Sequence, residues 1–90
     1  MEPFGRDPAK EAANVRSHGI TFEEAWTVVQ NPLSTEQLDI DHSHGDERLK
    51  VIGWSPLGRV IVVIVSASGP VPRIISARRA TKRERDAYTG

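Results

Sequence analysis

The sequence predicts an α+β domain: a helical hairpin at the N-terminus packed on a three- to four-stranded antiparallel sheet, with a short C-terminal helix. Two observations carry the prediction. The spacing of apolar residues is helical up to about residue 30 and switches to a period of 2 at about residue 48. The helical segments are grouped ahead of the strands, the order of an α+β layout rather than of alternating βαβ units. Length sets the scale. Ninety residues, 38% apolar and 27% charged, suit one folded domain spanning 1–90. A chain this short hides only about 60–65% of its unfolded surface, which leaves no room for a second core.

The first helix is predicted from about Pro8 to His18. Asp7 is a good N-cap, Pro8 suits the first helical position, and Gly19 reads as the stop. Its small residues Ala9, Ala12, Ala13 and Val15 form a narrow stripe expected to allow close packing. Thr21-Phe22-Glu23-Glu24 is a capping-box signature for the second helix. Phe22, Ala25, Trp26 and Val29 follow at core-facing spacing, and Asn31-Pro32 ends it. Leu33 to Asp46 is polar, acidic and aperiodic, so it reads as a long loop. Arg48 to Trp54 alternates as a strand. Ser55-Pro56-Leu57-Gly58 is a turn. Arg59 to Ser66 is β-branched on both faces and reads as a central strand. Val71 to Ala77 is the third strand, with Pro72 tolerable only near its start. Thr81-Lys82-Arg83-Glu84 is a second capping box, opening a helix through about Tyr88. Phe4 is a candidate for a short edge strand. Trp54, at a strand end, is a candidate for partner contact.

Several function classes are excluded. There is no cysteine, hence no disulfide, cysteine nucleophile or thiolate metal site. The longest apolar run, Val60 to Val65, is far short of the roughly 20 residues of a membrane helix. No signal-peptide pattern opens the chain, so it is expected in the cytoplasm. Net charge is zero but segregated. Residues 31–47 hold five acids and no Lys or Arg, whereas residues 73–90 hold six bases against two acids. A local basic patch, not the total, governs attraction to a polyanion. The acidic segment could shield that patch or face a basic partner.

DPAK (7–10), Asn14, HGITFEEA (18–25), DHS (41–43), ER (47–48) and above all RIISARRATKRERDAY (73–88) resemble the BrnT family of toxins. These are the toxin halves of bacterial type II toxin–antitoxin modules. The resemblance runs through almost the whole chain in order. It implies a RelE-like fold, an endoribonuclease activity that inhibits translation, and neutralisation by a ribbon-helix-helix antitoxin. A 2:2 complex is expected because such antitoxins bind operator DNA as dimers, and DNA would be met only through the antitoxin. The chain departs from the family at Arg6, where an aromatic is common, and at Ser17, where Lys is common.

Metal-free RNA cleavage needs a base for the 2′-OH, cations for the phosphate and an acid for the leaving oxygen. Arg78 and Arg79, at a strand end before a helix, are expected to meet one phosphate together, or are solvated surface. Glu47 is a candidate base, with Arg48 or Arg59 on the phosphate; the alternative is a strand-end ion pair. Arg59 could reach the same open face as Arg48 or flank a turn. His18 can do acid or base work, or simply serve as the cation of a helix C-terminus. Lys10, Arg48, Lys50, Lys82 and Arg83 are candidates for RNA contact. Asp41, His42, His44 and Asp46 have metal-ligand chemistry, but all lie in one local segment, so neither a metal nor another cofactor is expected. Tyr88 is expected to pack its ring on the sheet. The competing reading is a non-catalytic binding module that acts as co-repressor with a DNA-binding antitoxin. Convergence of Glu47, His18 and the arginines on one concave face would favour the enzyme.

Overall fold

The chain forms α1 (Pro8–His18), α2 (Phe22–Gln30), β1 (Thr35–Leu38), β2 (Arg48–Trp54), β3 (Val60–Ser66), β4 (Arg73–Arg79) and α3 (Lys82–Thr89). The computed structural model describes residues 3–39 and 47–90. The four strands make one antiparallel sheet in the order β1-β2-β3-β4. No described helix is long and apolar enough to cross a membrane.

Strand alternation divides the sheet into two faces. Val51, Ile61, Val63, Val65, Ile74 and Ala77 point to one face and form the main core with Phe4, Ile20, Phe22, Ala25 and Val28. Ile52, Val60 and Val62 point to the other, where Ile64, Ala80 and Tyr88 pack on them. The apolar central strand is therefore buried on both sides, as its composition predicts. Helix α2 lies close to the sheet at Gly53, where a Cβ would fall on Ser34 Oγ. Ser34 in turn donates to the Val28 carbonyl (2.7 Å), tying the end of α2 to the strand beneath it.

Three local expectations are corrected. The acidic stretch read as a loop contains β1, whose residues pair with Leu49–Ile52. All four of its side chains are exposed, so it has no buried face to produce an alternating signal. The small-residue stripe of α1 is not its packing face. Ala9, Ala12, Ala13 and Val15 are exposed, and the buried residue is Asn14. Asn14 donates to the Ile20 carbonyl (2.9 Å) and accepts the Ala77 N–H (3.0 Å), so α1 is anchored by paired polar groups. Phe4 adds no strand; it stacks on Trp26 (5.0 Å) within the core. Its neighbour Gly5 instead makes a single parallel bridge to Arg73.

The caps are mostly as read. Asp7 accepts from Ala9 and Lys10, and Gly19 takes the left-handed conformation (φ 68°). The α3 capping box is complete. That of α2 is half made: Thr21 caps Glu24 N–H, but the Glu24 side chain goes to Arg59.

Candidate nucleic-acid interface

Among the described residues, the face of the sheet opposite α1 and α2 is covered at one end, by α3. Register places the cations at its other end. Arg48 is opposite Ser66 and Ser66 is opposite Arg73, a row across three strands. With strands about 4.8 Å apart, the two arginines flank the serine. A β-bulge at Ile64/Val65 creates this row. Arg73 and Arg78 are an odd number of residues apart, so a regular strand would point them to opposite faces. The extra residue, Ile75, restores the parity and brings Arg73 to the face of Arg78 and Arg48.

An open cavity of about 580 Å³ lies over the row, lined by Lys10, Arg48, Arg73, Ser66, Ser68 and Arg6 among others. A second groove of about 410 Å³ shares Arg48 and continues along Lys50, Ser76 and Arg78, with Asp39 on its rim. His18 lies beside a smaller hollow that shares Lys10 and Ile75 with the main cavity. Glu47 is exposed at the mouth of β2, and its carbonyl accepts the Ala67 N–H (2.8 Å) between the two lining serines. Lys10 and Arg48 thus line the main cavity and Lys50 the second groove, His18 lines the smaller hollow, and Glu47 lies outside all three.

The arginines expected to work as a pair are separated. Arg78 stands opposite Val62 on the groove face, whereas Arg79 stands opposite Ile61 on the helix face. Adjacent strand residues point oppositely, so one phosphate cannot meet both forks. Arg78 is not solvated surface either. It donates to both Glu84 oxygens (2.7 and 3.0 Å). Lys50 reaches the same carboxylate (3.0 Å). The Arg78 bonds hold the Glu84 carboxyl far below its ordinary range, outweighing its burial, with help from the Thr81 N–H and Lys50.

Arg59 does not reach the face of Arg48. It forks onto the buried Glu24 (2.6 and 2.8 Å) and donates to the Gly19 carbonyl (3.0 Å), on the helix side. Those bonds lower the Glu24 pKa against the effect of burial. On α3, Lys82 pairs with Asp86 (2.9 Å) and Arg83 is exposed; neither lines a groove. Asp41, His42, His44 and Asp46 lie outside the described residues.

Arg73, Ser66 and Ser68 were not singled out from the sequence, because their convergence depends on strand register and the bulge. Arg6 lies over the Phe4 ring (4.6 Å) and bonds Glu11 (3.1 Å) and Glu23 (2.6 Å). Arg6 is therefore a cation that clamps both helices and borders the cavity.

No curated protein matches the chain. A family model described as the ribonuclease toxin BrnT of type II toxin–antitoxin systems matches residues 7–84, from the cap of α1 to the Glu84 clamp. The chain belongs to the BrnT family of ribonuclease toxins.

Proposed function

We propose that this chain is a metal-free endoribonuclease that arrests translation by cutting RNA on its open sheet face. The observation that carries the reading is the Arg48–Ser66–Arg73 row beneath the cavity that Lys10 closes. Three cations around one concavity are suited to a phosphodiester whose charge grows in the transition state. Arg48 and Arg73 can each fork onto phosphate oxygens, and Lys10 adds a point charge from α1. Glu47 takes the 2′-OH proton, O2′ attacks phosphorus, and His18 protonates the departing 5′-oxygen. The products are a 2′,3′-cyclic phosphate and a 5′-hydroxyl end. Helices α1 and α2 on one sheet face, with Arg48, Arg73 and Arg78 on the other, support a RelE-like layout.

A ribbon-helix-helix antitoxin in a 2:2 complex is the proposed partner, with operator DNA bound through it. Trp54 (45% exposed) and Leu57 (70% exposed), beside the β2–β3 turn, offer apolar surface for such a partner. Co-expression with the antitoxin followed by sizing should give the four-chain mass; a lone monomer counts against it.

The activity is tested with purified protein and single-stranded RNA. Arg73→Ala and Lys10→Ala should each slow cleavage by about 10²–10³, the effect of removing one donor that acts on transition-state charge. Both residues are exposed, so stability should stay within about 0.5 kcal/mol. Parental cleavage by both variants would move the site elsewhere. Binding without any cleavage would leave the co-repressor module.

A further inference from the structure

Glu84 belongs to neither the cations of the cavity nor the proton carriers, yet its carboxylate gathers contacts from three residues. Both its oxygens are engaged by Arg78, one also by Lys50, and the other by the Thr81 N–H (2.9 Å). Arg78 and Lys50 line the groove that continues from Arg48. A guanidinium has five N–H donors. Two from Arg78 go to Glu84 and one to the Arg79 carbonyl (3.3 Å). Two N–H donors, on Nε and Nη2, are left for a groove ligand.

We propose that Glu84 is a positioning residue for RNA cleavage: it fixes the Arg78 guanidinium in the second groove, so that the remaining Arg78 donors meet a substrate phosphate without reorganising. The inference rests on the reading of this face as the RNA site. The opposite role would be a counter-anion that RNA must expel. Three observations favour positioning. The carboxylate is also half of the α3 capping box, so expelling it would undo the start of the helix. Tyr88 pins the other end of α3, its ring in the second apolar cluster and its hydroxyl donating to the Leu33 carbonyl (2.9 Å). Arg78 keeps donors for a ligand while clamped. A preset guanidinium loses less freedom when the phosphate arrives.

The test is steady-state cleavage of a labelled mixed-sequence RNA 12-mer by the full chain, with kcat and KM measured separately. Glu84→Gln is the main variant, because Gln also completes a capping box and so keeps the helix start. It should lower kcat about tenfold through a misplaced contact. KM should stay within about threefold, since removing an acid from a basic face does not weaken attraction to phosphate. In an Arg78→Ala background, Glu84→Gln should lower kcat no further, because its effect passes through Arg78. Unchanged or raised kcat in Glu84→Gln overturns the proposal, a rise marking the expelled counter-anion. An equal further loss in the Arg78→Ala background also overturns it. If Glu84→Gln does not fold, Glu84→Asp decides: its shorter carboxylate keeps the charge but shifts the clamp, so kcat should fall, and parental kcat overturns the role. Loss in Arg78→Ala with none in Glu84→Gln removes only the Glu84 assignment. Parental cleavage by Arg78→Ala, or no cleavage by the parent, removes the RNA-site reading here and the proposal with it.

Discussion

Arginines of equal charge do different work according to what each fork meets. The Arg59 fork is spent on Glu24, a residue only 8% exposed, and on the C-cap carbonyl of α1. Arg59→Ala would strand that buried charge. The expected cost is about 3 kcal/mol, the low end for breaking a buried pair from one side. In a domain of this size that lowers the melting temperature by more than about 10 °C. Calorimetry checks it, and a shift of only a degree or two would show the pair to be dispensable. Arg78 lies between the extremes, clamped by Glu84 yet lining a groove. Its removal should cost stability that loss of the exposed Arg73 does not. Nothing in the spacing of these residues distinguishes them. Arg59 and Arg78 each flank a turn or loop in the sequence, and only the partner carboxylates separate their roles.

At the scale of elements, α3 depends on few residues. None of its side chains is fully buried, and it is held by the Thr81–Glu84 box, the Arg78 and Lys50 bonds, and Tyr88. Acid should therefore loosen it. The folded-state pKa of Glu84 is depressed from an ordinary 4.5, so its stabilisation is complete above that value and is lost as pH falls through the folded pKa. Glu24 acts in the same direction. Thermal midpoints measured from pH 7 to pH 2 should lose this contribution progressively below about pH 4.5. Glu84→Gln should flatten part of that fall; an identical pH profile would show that Glu84 contributes none of it. The helices themselves were readable because caps and stops are local chemistry. Asp7-Pro8, Gly19 and Thr81-x-x-Glu84 each act within a few residues. The short edge strand β1 was not readable, because an exposed strand carries no apolar alternation. The packing face of α1 is not legible in the sequence because Asn14 is buried through bonds to Ile20 and Ala77, and no periodicity reports such partners.

For the whole molecule, a zero net charge conceals a basic face. Lys10, Arg48 and Arg73 line the cavity, and in the groove Lys50 and Arg78 stand against Glu84 and Asp39. Single-stranded RNA releases about 0.7 counterion per phosphate neutralised. Binding measured as log K against log salt should therefore slope at about −2 to −3 despite the neutral total. A slope near zero would mean that these cations do not meet the backbone together. The cations of this face come from α1, β2 and β4, and of the C-terminal run of bases only Arg73 and Arg78 line the cavity or the groove. Lys82, Arg83 and Arg79, which give that run much of its charge, point elsewhere or line neither groove.

The sequence by itself determined the order of helices and strands, the apolar central strand, the helix caps and, through its motifs, the family. These are effects of neighbouring residues and of burial, and both leave a pattern along the chain. The site was decided only by the tertiary structure. Whether Arg48 meets Arg73 depends on which residues pair across β2, β3 and β4, and on one inserted residue in β4. That Arg78 and Arg79 part company follows from strand geometry once the strand extends through both. That Arg59 and Arg78 are tied depends on Glu24 and Glu84, and those pairings form only when the helices dock. A chain encodes such contacts through the fold as a whole, since a side chain's partner lies far away in sequence and its direction reverses with every residue of strand.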